Sequence, residues 1–164
     1  MIRLKSAVAL VALFAAFGTA AASARPNVSL QLDGKVIERD AKGAEKLVPV
    51  TSDTGFKPGE TVRYVIVASN RGSSAALNLM PEGKIPAGTA YEAGTASLAA
   101  AARVEFSIDG GKTWAAKPLI KVATANGTVE KAADPSLYTM LRWVASGALA
   151  PKASVSYSYQ VRIK

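Results

Sequence analysis

Few side chains in this sequence can do chemistry, and their types bound the search. The chain has 164 residues, with no His and no Cys. Zinc held by those side chains, thiolate nucleophiles, Ser-His-Asp triads and haem ligated by His are therefore excluded. Carboxylate pairs, Lys or Tyr chemistry and oxygen-ligand metals remain. Glu105 and Asp109 come nearest to a carboxylate pair. On one extended strand they share a face about 13 Å apart, beyond the roughly 6.5–9.5 Å used by inverting glycosidases. They read as residues of a solvated face. A hydrolase would need two of Glu92, Glu105, Asp109, Glu130 and Asp134 to converge in a cleft. Asp33, Asp53 and Asp134 sit near turn signals but lack the D-x-D-x-D-G array of a calcium loop. No catalytic residue, metal ligand or cofactor is assigned, and no enzymatic activity is expected.

Aromatic residues supply the candidate ligand contacts. Trp114, Tyr138, Trp143 and Tyr91 could stack on sugar rings, which defines the alternative function, a carbohydrate-binding module. The competing reading places them in a hydrophobic core, the usual fate of aromatic rings in a β fold. Asn27-Val28-Ser29 and Asn126-Gly127-Thr128 match the glycosylation sequon.

The elements that must position these groups begin after a leader. Met1-Ile2-Arg3-Leu4-Lys5 is a basic start, and an apolar run from Ala7 to about Ala16 follows. Small residues then lead to Ala22-Ser23-Ala24, an A-x-A cleavage pattern. Residues 1–24 read as a secretory signal. An uncleaved anchor fits less well, because the second half of the run is Gly, Thr, Ala and Ser. Residues 25–164 are expected to form one exported domain without a membrane span, periplasmic or at the cell surface. Eighteen Lys and Arg then face twelve Asp and Glu. The basic residues are scattered singly, so no nucleic-acid partner is expected. Envelope proteins or polysaccharides are the candidate partners.

Alternating apolar residues separated by turn signals mark the remainder as all-β. Val28–Leu32 alternates, Asp33-Gly34 reads as a hairpin turn, and Lys35–Glu38 as its return. Leu47–Thr51 is a short strand. Thr61–Ser69 is apolar on both faces and should be central. Ala76–Met80 is predicted as a strand, Pro81–Gly88 as loop and Thr89–Glu92 as strand. Ala96–Ala102 suits a helical turn or an irregular crossover. Val104–Ile108, a hairpin around Asn126-Gly127, and Tyr138–Ala145 follow. The closing strand places Val155, Tyr157, Tyr159, Val161 and Ile163 on one face, with Ser, Gln, Arg and Lys on the other. About seven to nine strands in an antiparallel β-sandwich are expected.

Ser107-x-Asp109-x-Gly111-x-Thr113-Trp114 resembles the Asp-box of sialidases at every defined position. There the box is a structural hairpin repeated around a propeller. A single copy cannot build a propeller, so only the turn is expected. A second resemblance spans about Lys57 to Lys164. Pro58-Gly59-Glu60-Thr61-Val62-Arg63-Tyr64-Val65-Ile66-Val67-Ala68-Ser69-Asn70-Arg71-Gly72 opens it. Ala76-Leu77-Asn78-Leu79, Ile85-Pro86-Ala87-Gly88-Thr89-Ala90-Tyr91 and Leu149-Ala150-Pro151-Lys152-Ala153-Ser154 continue it. These segments resemble the conserved repeat domain of bacterial envelope proteins, catalogued as a domain of unknown function (number eleven). The resemblance implies an immunoglobulin-like sandwich with a structural or interaction role in the envelope. Lys152 stands where that family often has Gly, Glu82-Gly83-Lys84 replaces its usual Asp, and only one copy is present.

Overall fold

The computed structural model describes residues 24–98, 102–125 and 127–164. The predicted signal, the middle of the Ala-rich piece and Asn126 lie outside the described residues. Ten strands are present among them: β1 (Val28–Arg39), β2 (Glu45–Pro49), β3 (Thr61–Asn70), β4 (Glu82–Lys84), β5 (Thr89–Tyr91), β6 (Ala102–Ser107), β7 (Leu119–Thr124), β8 (Gly127–Ala132), β9 (Met140–Ala145) and β10 (Ser154–Ile163). All pairings are antiparallel. One sheet runs β2-β1-β3-β10-β5 and a second runs β4-β9-β6, while β7 and β8 pair only with each other. No helix among the described residues is long and apolar enough to cross a membrane.

Strand periodicity builds the core between the two sheets. The first sheet contributes Val62, Ile66 and Ala68 from β3, and Tyr157, Tyr159 and Val161 from β10. The second contributes Leu141 and Trp143 from β9. Burial of such large side chains is worth roughly 1.5–3 kcal/mol each. Tyr159 also ties the sheets together, since its hydroxyl donates to the Lys84 carbonyl at 2.6 Å. Its ring lies under Gly83, where a Cβ would sit 2.7 Å from the ring edge. The missing side chain lets β4 approach.

Asn70 forms a polar knot at one pole of the core and is 1% exposed. Its amide nitrogen donates to the carbonyls of Ser74 (2.8 Å) and Leu149 (3.0 Å), and lies 3.3 Å from that of Ala150. Its side-chain oxygen accepts from the Gly72 and Asn27 backbone N–H groups. The loop after β3, the lead-in to β1 and the approach to β10 therefore meet at one side chain. Lys152 completes the knot at φ 62°, donating its N–H to the Asn70 carbonyl at 2.7 Å. The chain enters β1 at this pole. It leaves β10 at the opposite one, where Ile163 N–H donates to the Glu60 carbonyl.

The structure corrects four expectations. Asp33-Gly34 is not a turn: β1 runs straight through it, and Gly34 instead makes room for the Tyr64 ring, 3.2 Å from where a Cβ would be. The real turn follows at Asp40, whose carboxylate accepts from the Lys42 and Ala44 N–H groups. Ala76–Met80 is not a strand: Ala76 bridges to Leu149 and the Leu79 carbonyl accepts the Ala145 N–H, while Asn78 between them adopts φ 53° and interrupts extended pairing. The segment read as loop contains β4. The Tyr138–Ala145 strand begins at Met140, after a 3-10 turn over Pro135–Leu137 capped by Asp134. At the start of the Ala-rich piece, Ser97 N–H bonds to the Ser158 carbonyl, so Ser97 lies along β10.

Candidate functional site

Three of the four aromatic candidates, Trp143, Tyr91 and Tyr138, belong to the core or pack against it, and Trp114 lies apart from them. Trp143 is fully buried on β9 and packs against Tyr157 and Tyr159, with ring centroids 5.3 and 6.0 Å away. Its indole N–H donates to the Ser97 carbonyl at 2.7 Å. Tyr91 is also buried, and its hydroxyl accepts from Ala96 N–H. Tyr138 is half-buried and stacks on Phe106 at 4.6 Å and on Tyr91 at 6.0 Å. Burial raises the Tyr138 phenol above its ordinary pKa, with smaller contributions from Tyr91 and Asp134. Trp114 is half-buried elsewhere, with the Arg142 guanidinium carbon 4.5 Å from its ring centre. A sugar needs open ring faces. Trp143 and Tyr91 have no exposed face to offer, and the structure does not bring the four rings into one platform.

The Asp-box forms the hairpin turn its spacing predicts. Asp109 accepts from the Thr113 hydroxyl at 2.6 Å, the Ser107 hydroxyl at 2.7 Å, and the Thr113 and Lys112 N–H groups at 2.9 and 3.0 Å. These bonds favour the ionised form and hold its carboxyl far below the usual carboxylate range, the Thr113 hydroxyl contributing most. Ser107, buried beneath the turn, accepts from Gly111 and Asp109 N–H groups. The turn folds Trp114 over Arg142.

Glu105 lies opposite Arg142 on the outer face of the second sheet. Both Nε and Nη2 of Arg142 donate to its Oε2, at 2.9 and 2.7 Å, and Arg103 reaches Oε1 at 3.0 Å. The Arg142 hydrogen bonds are the main reason its carboxyl is lowered. A general acid for glycoside cleavage needs a raised pKa, and the Arg142 and Arg103 contacts act on Glu105 in the opposite direction. Glu92 pairs with Arg162 at 2.7 Å on the first sheet. Asp33 accepts from Gln31, Asp53 from Ser52, and Asp134 caps its turn. They belong to different elements. Among the described residues no group of three or more His, Cys, Asp or Glu could hold a metal.

The feature that sequence reasoning missed is an apolar groove of about 400 Å³ between β1 and β4. Leu30, Leu32, Tyr64, Ile66, Pro86 and Tyr159 line it. Leu30 and Leu32 pair with Ala68 and Ile66, so they occupy the core-facing side of the first sheet. They are nevertheless 57% and 58% exposed, because the second sheet ends at β4 and does not cover them. Alternation in Val28–Leu32 announces an apolar face. It carries no signal of how wide the opposing sheet is.

Comparison with protein-family models, curated proteins and solved structures finds no match. The family resemblance therefore rests on the quoted motifs alone.

Proposed function

We propose that the chain is an exported, non-enzymatic module of the cell envelope with an immunoglobulin-like sandwich, acting in structure or interaction. The Asn70 knot is the observation that carries this reading. It joins Asn70-Arg71-Gly72 to Leu149-Ala150-Pro151-Lys152, two separate segments of the envelope-domain resemblance. Motif residues that meet in a buried knot do architectural work, as expected of a family defined by its scaffold. A Cβ on Gly72 would lie 2.3 Å from the Arg25 carbonyl oxygen, so that motif glycine has a packing reason too. The best-placed carboxylates, Glu105 and Asp109, serve an ion pair and a turn. The interaction surface is the groove and the sheet edge beside it, because an exposed edge accepts a further strand.

The test is fractionation of cells expressing the full sequence, N-terminal sequencing of the product, and capture of partners from envelope extract. The expected product begins at Arg25 in the exported fraction and retains a protein partner through the groove. A chain retained in the cytosol with Met1 intact would overturn the export reading. Turnover of a glycoside that is lost in Glu105→Gln would overturn the non-enzymatic one.

A further inference from the structure

Two unpartnered surfaces of this molecule match each other. The first is the groove with the free edge of β4. Trp143 N–H donates to the Pro81 carbonyl, and Ile85 N–H to the Thr139 carbonyl. Antiparallel pairing alternates, so Glu82 and Lys84 direct their peptide groups away from β9. The Lys84 carbonyl takes the Tyr159 hydroxyl. That leaves the Glu82 N–H and C=O and the Lys84 N–H facing outward, beside Leu30 and Leu32. The second surface is the β7–β8 ribbon. None of its residues belongs to the core, and Val129, which pairs with Val122 on the face that carries Ile120, is 49% exposed. A lone two-stranded ribbon is marginal in water.

We propose that the ribbon of one copy docks in the groove of a second copy, adding β7 to the free edge of β4. Edge geometry and charge together select one register. Ala133 N–H donates to the Pro118 carbonyl, so Leu119 and Lys121 turn their peptide groups to the outer edge of β7. They can then pair with Lys84 and Glu82 respectively. That register sets Ile120 opposite Gly83 and points Ile120 and Val122 into the groove over Leu30 and Leu32. It also sets Lys121 opposite Glu82, while Lys121 already faces Glu130 across its own ribbon. Sliding by two residues places Lys121 opposite Lys84, a like-charge clash. The acquired strands extend the second sheet from three to five, matching the five of the first.

Donor and acceptor are different patches, so the contact is head-to-tail and builds rings or open chains. This rests on the interaction-module reading and names its partner. The contact is small, so association in the range of about 10 μM to 1 mM is expected. Sedimentation of the protein from about 10 μM to 1 mM tests it. The wild type should show a mass that rises with concentration. Leu32→Lys, at a position already exposed, should weaken association roughly tenfold or more. Lys121→Glu and Glu82→Lys should each weaken it by about 2- to 5-fold, and combining them in one chain should restore it. A monomer throughout this range overturns the proposal, as does association unchanged by Leu32→Lys or not restored in the charge swap. A monomer that still retains an envelope protein through the groove sinks self-docking alone and leaves the interaction-module reading standing.

Discussion

Replacing Asn70 tests the knot most directly. Asn70→Ala strips partners from the Ser74 carbonyl and from the Asn27 and Gly72 N–H groups, all part-buried, while the buried Leu149 carbonyl keeps the Ala76 N–H. A buried polar group left unsatisfied costs about 1–3 kcal/mol, and the part-buried ones less because water reaches them. The three together should cost about 2 kcal/mol, a sizeable share of the roughly 5–15 kcal/mol typical of a domain. Asn70→Asp is more diagnostic. Its carboxylate would face the carbonyl oxygens that now receive the amide N–H bonds. Its folded pKa should therefore rise above the unfolded value of about 3.9. Below that value the neutral acid can still donate, and the variant should lie near wild type. As pH rises through the folded pKa the stability is lost. Urea denaturation of variant and wild type from about pH 3.5 to 8, read as the difference between them, isolates this effect from other carboxylates. A deficit independent of pH, or an Asn70→Ala cost under about 0.5 kcal/mol, would mean that the Asn70 amide is not what holds this pole together.

Other substitutions probe the remaining features. Asp109 is held ionised, so its stabilisation is present above the ordinary carboxylate pKa and lost as pH falls toward the depressed folded value. Acid denaturation of Asp109→Asn should accordingly show a shallower slope below about pH 4 than wild type. Gly83→Ala would force a methyl into the Tyr159 ring and should cost about 1–3 kcal/mol in urea denaturation; a neutral result would mean β4 has slack. Lys152 occupies the left-handed region, which costs a non-glycine residue about 1–2 kcal/mol. Part of that is offset by its Nζ bond to the Arg71 carbonyl and by the greater unfolded freedom of glycine. Lys152→Gly should raise the melting temperature by a few degrees, and a fall would show that the side-chain bond dominates. Burial and then Tyr64 push the Tyr159 phenol up, so it should stay protonated in alkaline absorbance titration until the protein unfolds.

Strands with one wet face were legible because period-two alternation reports which side is buried. Tyr157, Tyr159 and Val161 are inside as their spacing predicts. The Asp-box turn was legible for a related reason: every hydrogen bond of the Asp109 side chain is local, within Ser107–Thr113. Asp33-Gly34 misled because the glycine answers to Tyr64, a residue thirty positions away that no local pattern reveals. β4 was hidden because Glu82-Gly83-Lys84 has no alternation, and it extends only by pairing with β9. The groove escaped for the same reason. Leu30 and Leu32 are patterned for a core, and their exposure follows from the width of the other sheet. Asn70 was visible as a motif position, yet three of its five partners, Asn27, Leu149 and Ala150, come from two distant segments.

The opposite poles at which the chain enters β1 and leaves β10 carry a mechanical consequence. β1 and β10 both flank β3 in antiparallel register, and so run in the same direction as each other. Tension applied through Arg25 and Lys164 would draw them in opposite senses along β3, over roughly 33 Å of ladder. That geometry loads the hydrogen bonds together in shear instead of unzipping them one by one. Segments fused to the two ends would be held apart by the length of the domain, which makes this fold a spacer that resists stretching.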